Sequence, residues 1–276
     1  MLNMIYIFRL ICVFFIVLLL NKPTSGYEGL NSGMAYFPEG EFVMGSPKKI
    51  GKKNEHPEHK VYLNAFYIDR YEVTFSAFEQ YLALNLKKYP TITGWIDRKA
   101  RPNMQNKPIF GLQWKRCRNY CSWRGKRMPT EAEWERAARG KENRIYPWGN
   151  EKPDNTRANF GNCCFIQRGN VLTEIGHFKK GVTPNGIFDL GGNVAEWVSD
   201  WYDKKYYEKS PYKNPQGPDK GKYHVIRGGA WNSLPMYLRS ASRYGDSDAK
   251  DYYGIGCRCA KDAGLPYKPN QNSVNR

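Results

Sequence analysis

Glycine, proline and aromatic residues recur along the whole chain and break it into short segments. The 276 residues include 26 Gly, 17 Pro, 20 Tyr, 13 Phe and 8 Trp. Gly and Pro interrupt helices and strands, and no Gly-x-y, heptad or longer repeat is present. Charged residues at 25% and hydrophobic residues at 41% are usual for a globular chain and exclude wholesale disorder. We therefore expect short elements joined by long ordered loops, with large aromatic side chains packed between them.

Local signals predict three short helices and a few strands. Thr130 and Glu133 form a capping box at the start of a helix that ends at Gly140. Thr74 can cap a helix that runs to about Leu86, and Trp114, Cys117 and Cys121 share a helical spacing. The strands are predicted at Glu41–Met44, Lys60–Ile68, Tyr223–Arg227 and Gly256–Ala260, and most of Asn150–Gly192 is predicted as loop. This mixture indicates an α+β fold with heavy loop content.

The first 26 residues have the pattern of a secretory signal peptide. Arg9 precedes an unbroken apolar run, Leu10–Leu20, and the small residues Thr24–Gly26 follow it. The alternative is a membrane anchor, but eleven apolar residues are fewer than the roughly 20 that a spanning helix needs. Cleavage after residue 26 would remove Arg9 and Lys22 and lower the formal net charge of +17 by two. We therefore expect an exported protein (periplasmic, cell-surface or secreted) without a transmembrane segment after cleavage.

Export changes the interpretation of the cysteines. Six lie beyond residue 26: Cys117, Cys121, Cys163, Cys164, Cys257 and Cys259. An even number in an oxidising compartment favours disulfides. Zinc is the competing explanation, but no Cys-x-x-Cys is present and the histidines are not clustered with the cysteines. The residues alone leave the pairing of the six cysteines open.

Seven motifs occur in an order that resembles one enzyme family. They are Phe66–Thr74, Tyr120–Glu135, Tyr146–Gly149, Pro184–Gly186, Gly192–Trp197, Arg227–Trp231 and Gly256–Ala260. Their order and spacing resemble the formylglycine-generating enzyme, or sulfatase-modifying factor, family over roughly residues 35–262. The resemblance implies one loop-rich α+β domain, a variant of the C-type-lectin fold, over residues 27–266. Residues 267–276 would then form a polar C-terminal tail.

The resemblance also sets an expectation for catalysis. Catalytic members oxidise a substrate cysteine to formylglycine with copper held by two cysteines, because Cu(I) prefers soft thiolate ligands. In this chain the corresponding loop, Ala230–Arg239, contains no cysteine. We therefore expect a member that lacks the catalytic cysteine pair, does not make formylglycine and does not use copper.

The family resemblance implies a Cys121–Cys259 disulfide. Cys117 lies one helical turn before Cys121, and Cys257 lies two residues before Cys259, so we hypothesise a second, parallel Cys117–Cys257 bridge. Cys163 and Cys164 would remain as a vicinal pair, either bonded to each other or reduced. That pair is interpreted either as a redox or soft-metal site or as a structural disulfide within the loop.

A calcium site is also implied by the resemblance. Its side-chain ligands would be Asn193 and Glu196, and Gly191 and Val194 would contribute carbonyl oxygens; such hard oxygen ligands suit calcium. The alternative is a purely structural turn capped by Asn193.

A ligand cleft is expected near the C-terminal motifs. Its candidate contacts are Trp231, Asn232, Ser233, Arg239, Arg243 and Tyr244, residue types that are adaptable in binding loops. The alternative for Arg239 and Arg243 is ion pairing with acids in the core. The partner would be an unknown exported protein or small ligand, and the basic charge allows anionic envelope polymers. No nucleic-acid motif is present.

Two functions therefore remain after the sequence analysis. The first is a non-catalytic binding, scaffold or accessory module that uses this cleft. The second is an oxidoreductase-like maturation enzyme that acts on an exported protein or metabolite, with thiols from Cys163 and Cys164.

Overall fold

The computed structural model describes residues 33–85, 95–96, 99–100, 102–162, 171–247 and 254–264. The predicted signal peptide, Cys163, Cys164 and the predicted tail lie outside these residues. The described residues, which begin at Gly33, form one compact unit. No helix within the described ranges is long and apolar enough to cross a membrane.

The regular elements are short, as the spacing of Gly and Pro predicts. The helices are α1 (Phe75–Leu84), α2 (Trp114–Trp123) and α3 (Glu131–Arg139). In chain order the strands are β1 (Met34–Phe37), β2 (Gly40–Met44), β3 (His59–Leu63), β4 (Phe66–Asp69), β5 (Trp95–Ile96), β6 (Lys99–Ala100), β7 (Ala195–Trp201), β8 (His224–Arg227), β9 (Arg243–Asp246), β10 (Ile255–Gly256) and β11 (Ala260–Asp262). The α+β prediction is confirmed.

Two sheets organise the described part of the chain. One has the order β10-β7-β8-β9, in which β7 pairs parallel with β10 and antiparallel with β8. The other has the order β1-β4-β11, with antiparallel pairs on both sides of β4. Two-stranded ladders join β2 to β3 and β5 to β6. Strand β11 therefore pairs with a strand from the first third of the chain, whereas β10 pairs with β7 from the last third.

The helix starts follow the local signals. The Thr130 hydroxyl accepts a hydrogen bond from the Glu133 amide at 3.1 Å, and the Glu133 carboxylate accepts one from the Thr130 amide at 2.9 Å. This capping box is the one that the sequence predicts. The Thr74 hydroxyl likewise caps α1, which ends at Leu84 rather than near Leu86.

The observed strands differ from the predictions in two ways: two predicted strands are divided, and several observed strands were not predicted. Lys60–Ile68 contains two strands, β3 and β4, which belong to different sheets. Gly256–Ala260 is not one strand either, because β10 ends at Gly256 and β11 begins at Ala260. Strands β1, β5, β6, β7 and β9 were not predicted, and of these β7 is buried along most of its length. Its sequence, Ala-Glu-Trp-Val-Ser-Asp-Trp, shows neither an alternation nor a continuous apolar run, because the polar residues Glu196 and Asp200 are buried within it.

Large aromatic side chains hold the core together. Trp134 and Trp197 are both fully buried. The Trp197 indole donates to the Leu112 carbonyl at 2.7 Å, and the Trp134 indole donates to the Glu196 carboxylate at 2.7 Å. Each ring thereby buries its apolar surface and still satisfies its N–H donor.

Candidate ligand pocket and the predicted cleft

The loop after β8 is anchored by Trp231. Its side chain is buried, its amide donates to the Asn193 carbonyl at 2.9 Å, and its carbonyl accepts from the Asn162 amide at 2.9 Å. Ser233 closes the turn, since its hydroxyl accepts from the Ala230 amide at 2.9 Å. Asn232 is exposed and Ser233 is half-buried. Of these three predicted cleft residues, Asn232 is the one most open to solvent.

Arg239 is held in the core by Glu55. Its two terminal nitrogens donate to the two Glu55 oxygens at 2.7 and 2.8 Å, and the Ser46 hydroxyl adds a third contact. Burial alone would raise the pKa of Glu55, but the hydrogen bonds from Arg239 and Ser46 outweigh it and lower that pKa. The Arg239 guanidinium is therefore occupied by the protein itself.

Arg243 is held in the same manner by Glu131. Its Nε and Nη2 donate to the two Glu131 oxygens at 2.6 and 2.8 Å. Arg227 shares the site, with Nη1 3.2 Å from Glu131 and Nη2 2.6 Å from Glu135. Burial raises the pKa of Glu131, but the two guanidiniums outweigh it and the pKa lies below its ordinary value. The structure thus places Arg239 and Arg243 in core ion pairs, the alternative considered for both.

Arg243 and Tyr244 line a cavity of about 580 Å³. We call it the lysine pocket; its lining residues are Lys52, Lys53, Asn54, Tyr202, Lys204, Lys205, Glu208, Arg243 and Tyr244. The walls come from the short helix Lys53–Glu55, strand β9 and the segment that follows β7. Its volume lies in the range of roughly 300–1,000 Å³ that is usual for small-molecule sites.

The floor of the lysine pocket is fixed by Asn54. Its side-chain amide donates to the Tyr202 hydroxyl at 2.8 Å and to the Arg243 carbonyl at 2.9 Å. The Arg243 Nη1 donates back to the Asn54 carbonyl at 3.1 Å. The absence of a side chain at Gly245 lets the Tyr202 ring pack against β9, because a Cβ there would lie 2.5 Å from Tyr202 Cγ.

A second cavity, of about 600 Å³, lies between the β3–β4 turn, α2 and the start of α3. Three of its lining residues form one ion-pair group, in which Arg127 contacts Glu133 at 2.6 Å and Asp262 at 2.5 Å. Because these charges are satisfied by one another, this cavity offers less unpaired charge to a ligand than the lysine pocket does.

The predicted calcium ligands are engaged by protein groups. The Asn193 side-chain oxygen accepts from Asn159 and from the Thr173 amide, each at 3.2 Å, and its amide nitrogen donates to Glu72 at 2.9 Å. Asn193 has a φ of 61°, which suits a structural turn.

Glu196, like Asn193, is occupied by protein groups and is not open to a metal ion. Arg258 contacts both of its oxygens at 2.7–2.9 Å, and the Trp134 indole donates to one of them. Calcium at Glu196 would lie beside a guanidinium. Within the described ranges no group of three or more His, Cys, Asp or Glu side chains could hold a metal ion. Asn193 and Glu196, as placed, do not fit a calcium site with Gly191 and Val194, so the structure gives no support to the calcium site that the resemblance implies.

The structure joins Cys121 to Cys259, the pairing that the resemblance implies. The predicted Cys117–Cys257 bridge is wrong for this structure, in which both residues are buried and are not bonded to each other. The Cys117 sulfur lies 3.9 Å from the Gly256 carbonyl oxygen. The second bridge assumed strand spacing from Cys257 to Cys259, whereas these residues lie between β10 and β11. Cys163 and Cys164 fall outside the described residues.

Comparison with known proteins identifies the family. Residues 23–263 match the family described as the sulfatase-modifying factor enzyme 1-like domain. The chain belongs to this family. The match covers most of the sequence and includes all seven motifs.

Relatives in this family carry different names. The chain is 31% identical to a formylglycine-generating enzyme of Streptomyces coelicolor (84% of this chain, 90% of the relative). It is 30% identical to an inactive C-alpha-formylglycine-generating enzyme 2 of Bos taurus (87% and 91%). A protein named serine/threonine-protein kinase pkn1, from Chlamydia caviae, is 35% identical over 85% of this chain. The chain spans only 38% of that relative's length.

The solved structure of PvdO from Pseudomonas aeruginosa has a similar fold. The TM-score is 0.69 at 27% identity, and the match covers 83% of this chain and 94% of that one. This likeness and the family membership confirm the predicted fold, the formylglycine-generating-enzyme variant of the α+β C-type-lectin class.

Proposed function

We propose that this protein is an exported, non-catalytic member of its family that binds a ligand or partner through the lysine pocket. The observation that carries the proposal is the state of the four described cysteines. Cys121 and Cys259 are joined in a disulfide, and Cys117 and Cys257 are completely buried. None of the four can present a thiolate to a peptide substrate or to copper.

Copper-dependent formylglycine synthesis requires accessible thiolates, because the thiolate and not the thiol is the metal ligand. The loop Ala230–Arg239 supplies none. That a mammalian relative is named inactive is in keeping with this proposal. The name of the Chlamydia relative does not bear on it, since most of that relative lies outside the match.

Export is supported by two independent features. The signal-peptide pattern of residues 1–26 is one. The Cys121–Cys259 disulfide is the other, because such bonds persist in oxidising compartments. Proteolytic shaving of intact cells, followed by mass spectrometry of the mature N-terminus, would test both the location and the cleavage after residue 26.

The proposed lack of catalysis is tested with a cysteine-containing sulfatase peptide and stoichiometric Cu(I). The Streptomyces coelicolor formylglycine-generating enzyme serves as the positive control. We expect no aldehyde by hydrazide labelling and an unchanged peptide mass. Aldehyde formation above the peptide-only background would overturn the non-catalytic proposal.

The competing oxidoreductase-like function would need Cys163 and Cys164. The matched variant is therefore Cys163→Ser/Cys164→Ser, assayed beside the unmodified protein. Aldehyde or copper binding that disappears in this variant would establish the competing function. Equal, background-level signals in both proteins support the binding module.

A further inference from the structure

The charges of the lysine pocket are strongly unbalanced. Its lining contains four lysines and one arginine but a single acid, Glu208. Arg243 is already neutralised by its bidentate contact with Glu131. The uncompensated positive charge of the pocket therefore comes from the lysines.

Lys52 is oriented by an aromatic partner. Its Nζ lies 3.0 Å from the Tyr237 hydroxyl and 4.2 Å from the centroid of that ring. A neutral phenol positions an ammonium group without cancelling its charge. Lys52 is half-buried, so its charge meets less solvent than that of a fully exposed lysine.

Lys53, Lys204 and Lys205 are exposed at the rim and are open to a ligand. Across the described part of the chain, none of the three forms a salt bridge. The neighbouring Asp203 does not compensate them, because it accepts from Lys209 at 3.1 Å and from the Lys205 backbone amide at 2.9 Å. Like charges that line one cavity repel one another, and an anion that enters the cavity relieves this repulsion.

The rest of the lining sets the size and character of the ligand. Tyr202 and Tyr244 contribute two rings to walls that otherwise carry ammonium groups. The cavity of about 580 Å³ suits a small molecule rather than an extended polymer. Lysines are common ligands of phosphoryl and sulfuryl oxygens, which they contact as point charges.

We infer that the lysine pocket binds a small organic phosphate or sulfate ester, with the oxyanion among Lys52, Lys53, Lys204 and Lys205 and the organic part against Tyr202 and Tyr244. This inference rests on the proposed binding function and names its ligand class. The shared chemistry is a tetrahedral oxyanion on a small neutral body, with about two negative charges in a phosphate monoester and a single negative charge in a sulfate ester.

The test is titration calorimetry on the full mature chain at constant ionic strength. The probes are inorganic pyrophosphate, glucose 6-phosphate and glucose 6-sulfate, with glucose as the uncharged control. The pocket variant is Lys204→Gln/Lys205→Gln. The matched control is Lys179→Gln/Lys180→Gln, which removes the same charge from an exposed adjacent pair outside the pocket.

We expect one equivalent of an ester to bind, glucose not to bind, and the pocket variant to bind at least about tenfold more weakly, equivalent to about 1.4 kcal/mol. The control variant should stay within about twofold of the parent. Binding of glucose 6-phosphate alone, or of glucose 6-sulfate alone, would show which of the two esters the pocket takes. Pyrophosphate binding without ester binding would restrict the site to inorganic anions and would overturn the inference.

Two further outcomes would also overturn it. One is the lack of saturable binding by any probe. The other is an equal loss of affinity in both double variants, which would show a diffuse surface effect. Neither outcome would produce aldehyde in the peptide assay, so failure of this inference is distinguishable from failure of the non-catalytic proposal. Aldehyde formation, conversely, would leave ester binding in the lysine pocket standing.

Discussion

The buried arginines and the pocket lysines place the same positive charge in opposite environments. Arg227, Arg239, Arg243 and Arg258 are buried, and each donates to at least one glutamate. Lys53, Lys204 and Lys205 are exposed beside a single acid. The planar guanidinium offers several fixed donors that can be satisfied inside a protein, whereas the ammonium group is strongly hydrated. The comparison teaches that part of this chain's basic character is structural and part is available for binding.

The largest effect is expected from Glu131→Gln. This change leaves Arg243 and Arg227 buried without their shared carboxylate, and removing one partner of a buried ion pair destabilises by about 3–5 kcal/mol. Chemical denaturation monitored by circular dichroism would measure the loss. A decrease in the free energy of unfolding of less than about 1 kcal/mol would show that the ion pairs of Arg227 and Arg243 with Glu131 contribute little to stability.

The pocket variant Lys204→Gln/Lys205→Gln is the matched comparison on the lysine side. We expect its unfolding free energy to stay within about 0.5 kcal/mol of the parent, because both side chains are exposed. A large destabilisation of this variant would show that the pocket lysines, like the buried arginines, contribute to the stability of the fold.

An effect smaller than that of Glu131→Gln is expected from Gly245→Ala, a change in strand β9 beside Tyr202 of the lysine pocket. The new Cβ would lie 2.5 Å from Tyr202 Cγ, so the ring or β9 must shift. Overpacking of this kind costs about 1–3 kcal/mol. A double-mutant cycle with Tyr202→Ala should recover most of the loss; additive losses would place the strain elsewhere.

The pH dependence distinguishes acids with and without a cationic partner. Asp200 is buried near Glu131 but has no salt bridge within the described ranges. Burial, with the Glu131 charge, raises the pKa of Asp200 to about 7. The folded state therefore binds more protons than the unfolded state between about pH 4 and pH 7, and the free energy of unfolding falls as the pH rises through this window.

The measurement is the urea midpoint at pH 5 and at pH 8, with a higher midpoint expected at pH 5. Asp189 contributes with the same sign, since burial raises its pKa to about 6. Asp200→Asn should reduce the slope of the unfolding free energy against pH by up to about 1.4 kcal/mol per pH unit, the value for one proton. An unchanged slope in Asp200→Asn would assign the pH dependence to other groups.

The smallest effect is expected from calcium removal. Glu196 is already neutralised by Arg258, so chelation with EGTA should leave the melting temperature unchanged. The competing result is a lower melting temperature that calcium restores in the parent but not in Asn193→Ala. That result would establish the calcium site and would show that Glu196 does not serve only as the partner of Arg258.

The local features of the fold could be predicted because their causes lie within a few residues. The capping box of Thr130 and Glu133 is an interaction across three positions, and it forms as predicted. The motif order likewise gives the family and fold class. The division of Lys60–Ile68 into two strands could not be predicted, because it depends on separate partners, β2 and β1.

For the candidate site, the sequence determined that basic and aromatic residues follow Trp231, but not which of them are open to a ligand. Arg239 and Arg243 reach Glu55 and Glu131 across 184 and 112 residues. Lys52 and Lys53 come to the same pocket from the N-terminal third of the chain. Ion pairing at such separations depends on how the sheets pack, so only the tertiary structure decided which charges are buried and which remain free to bind.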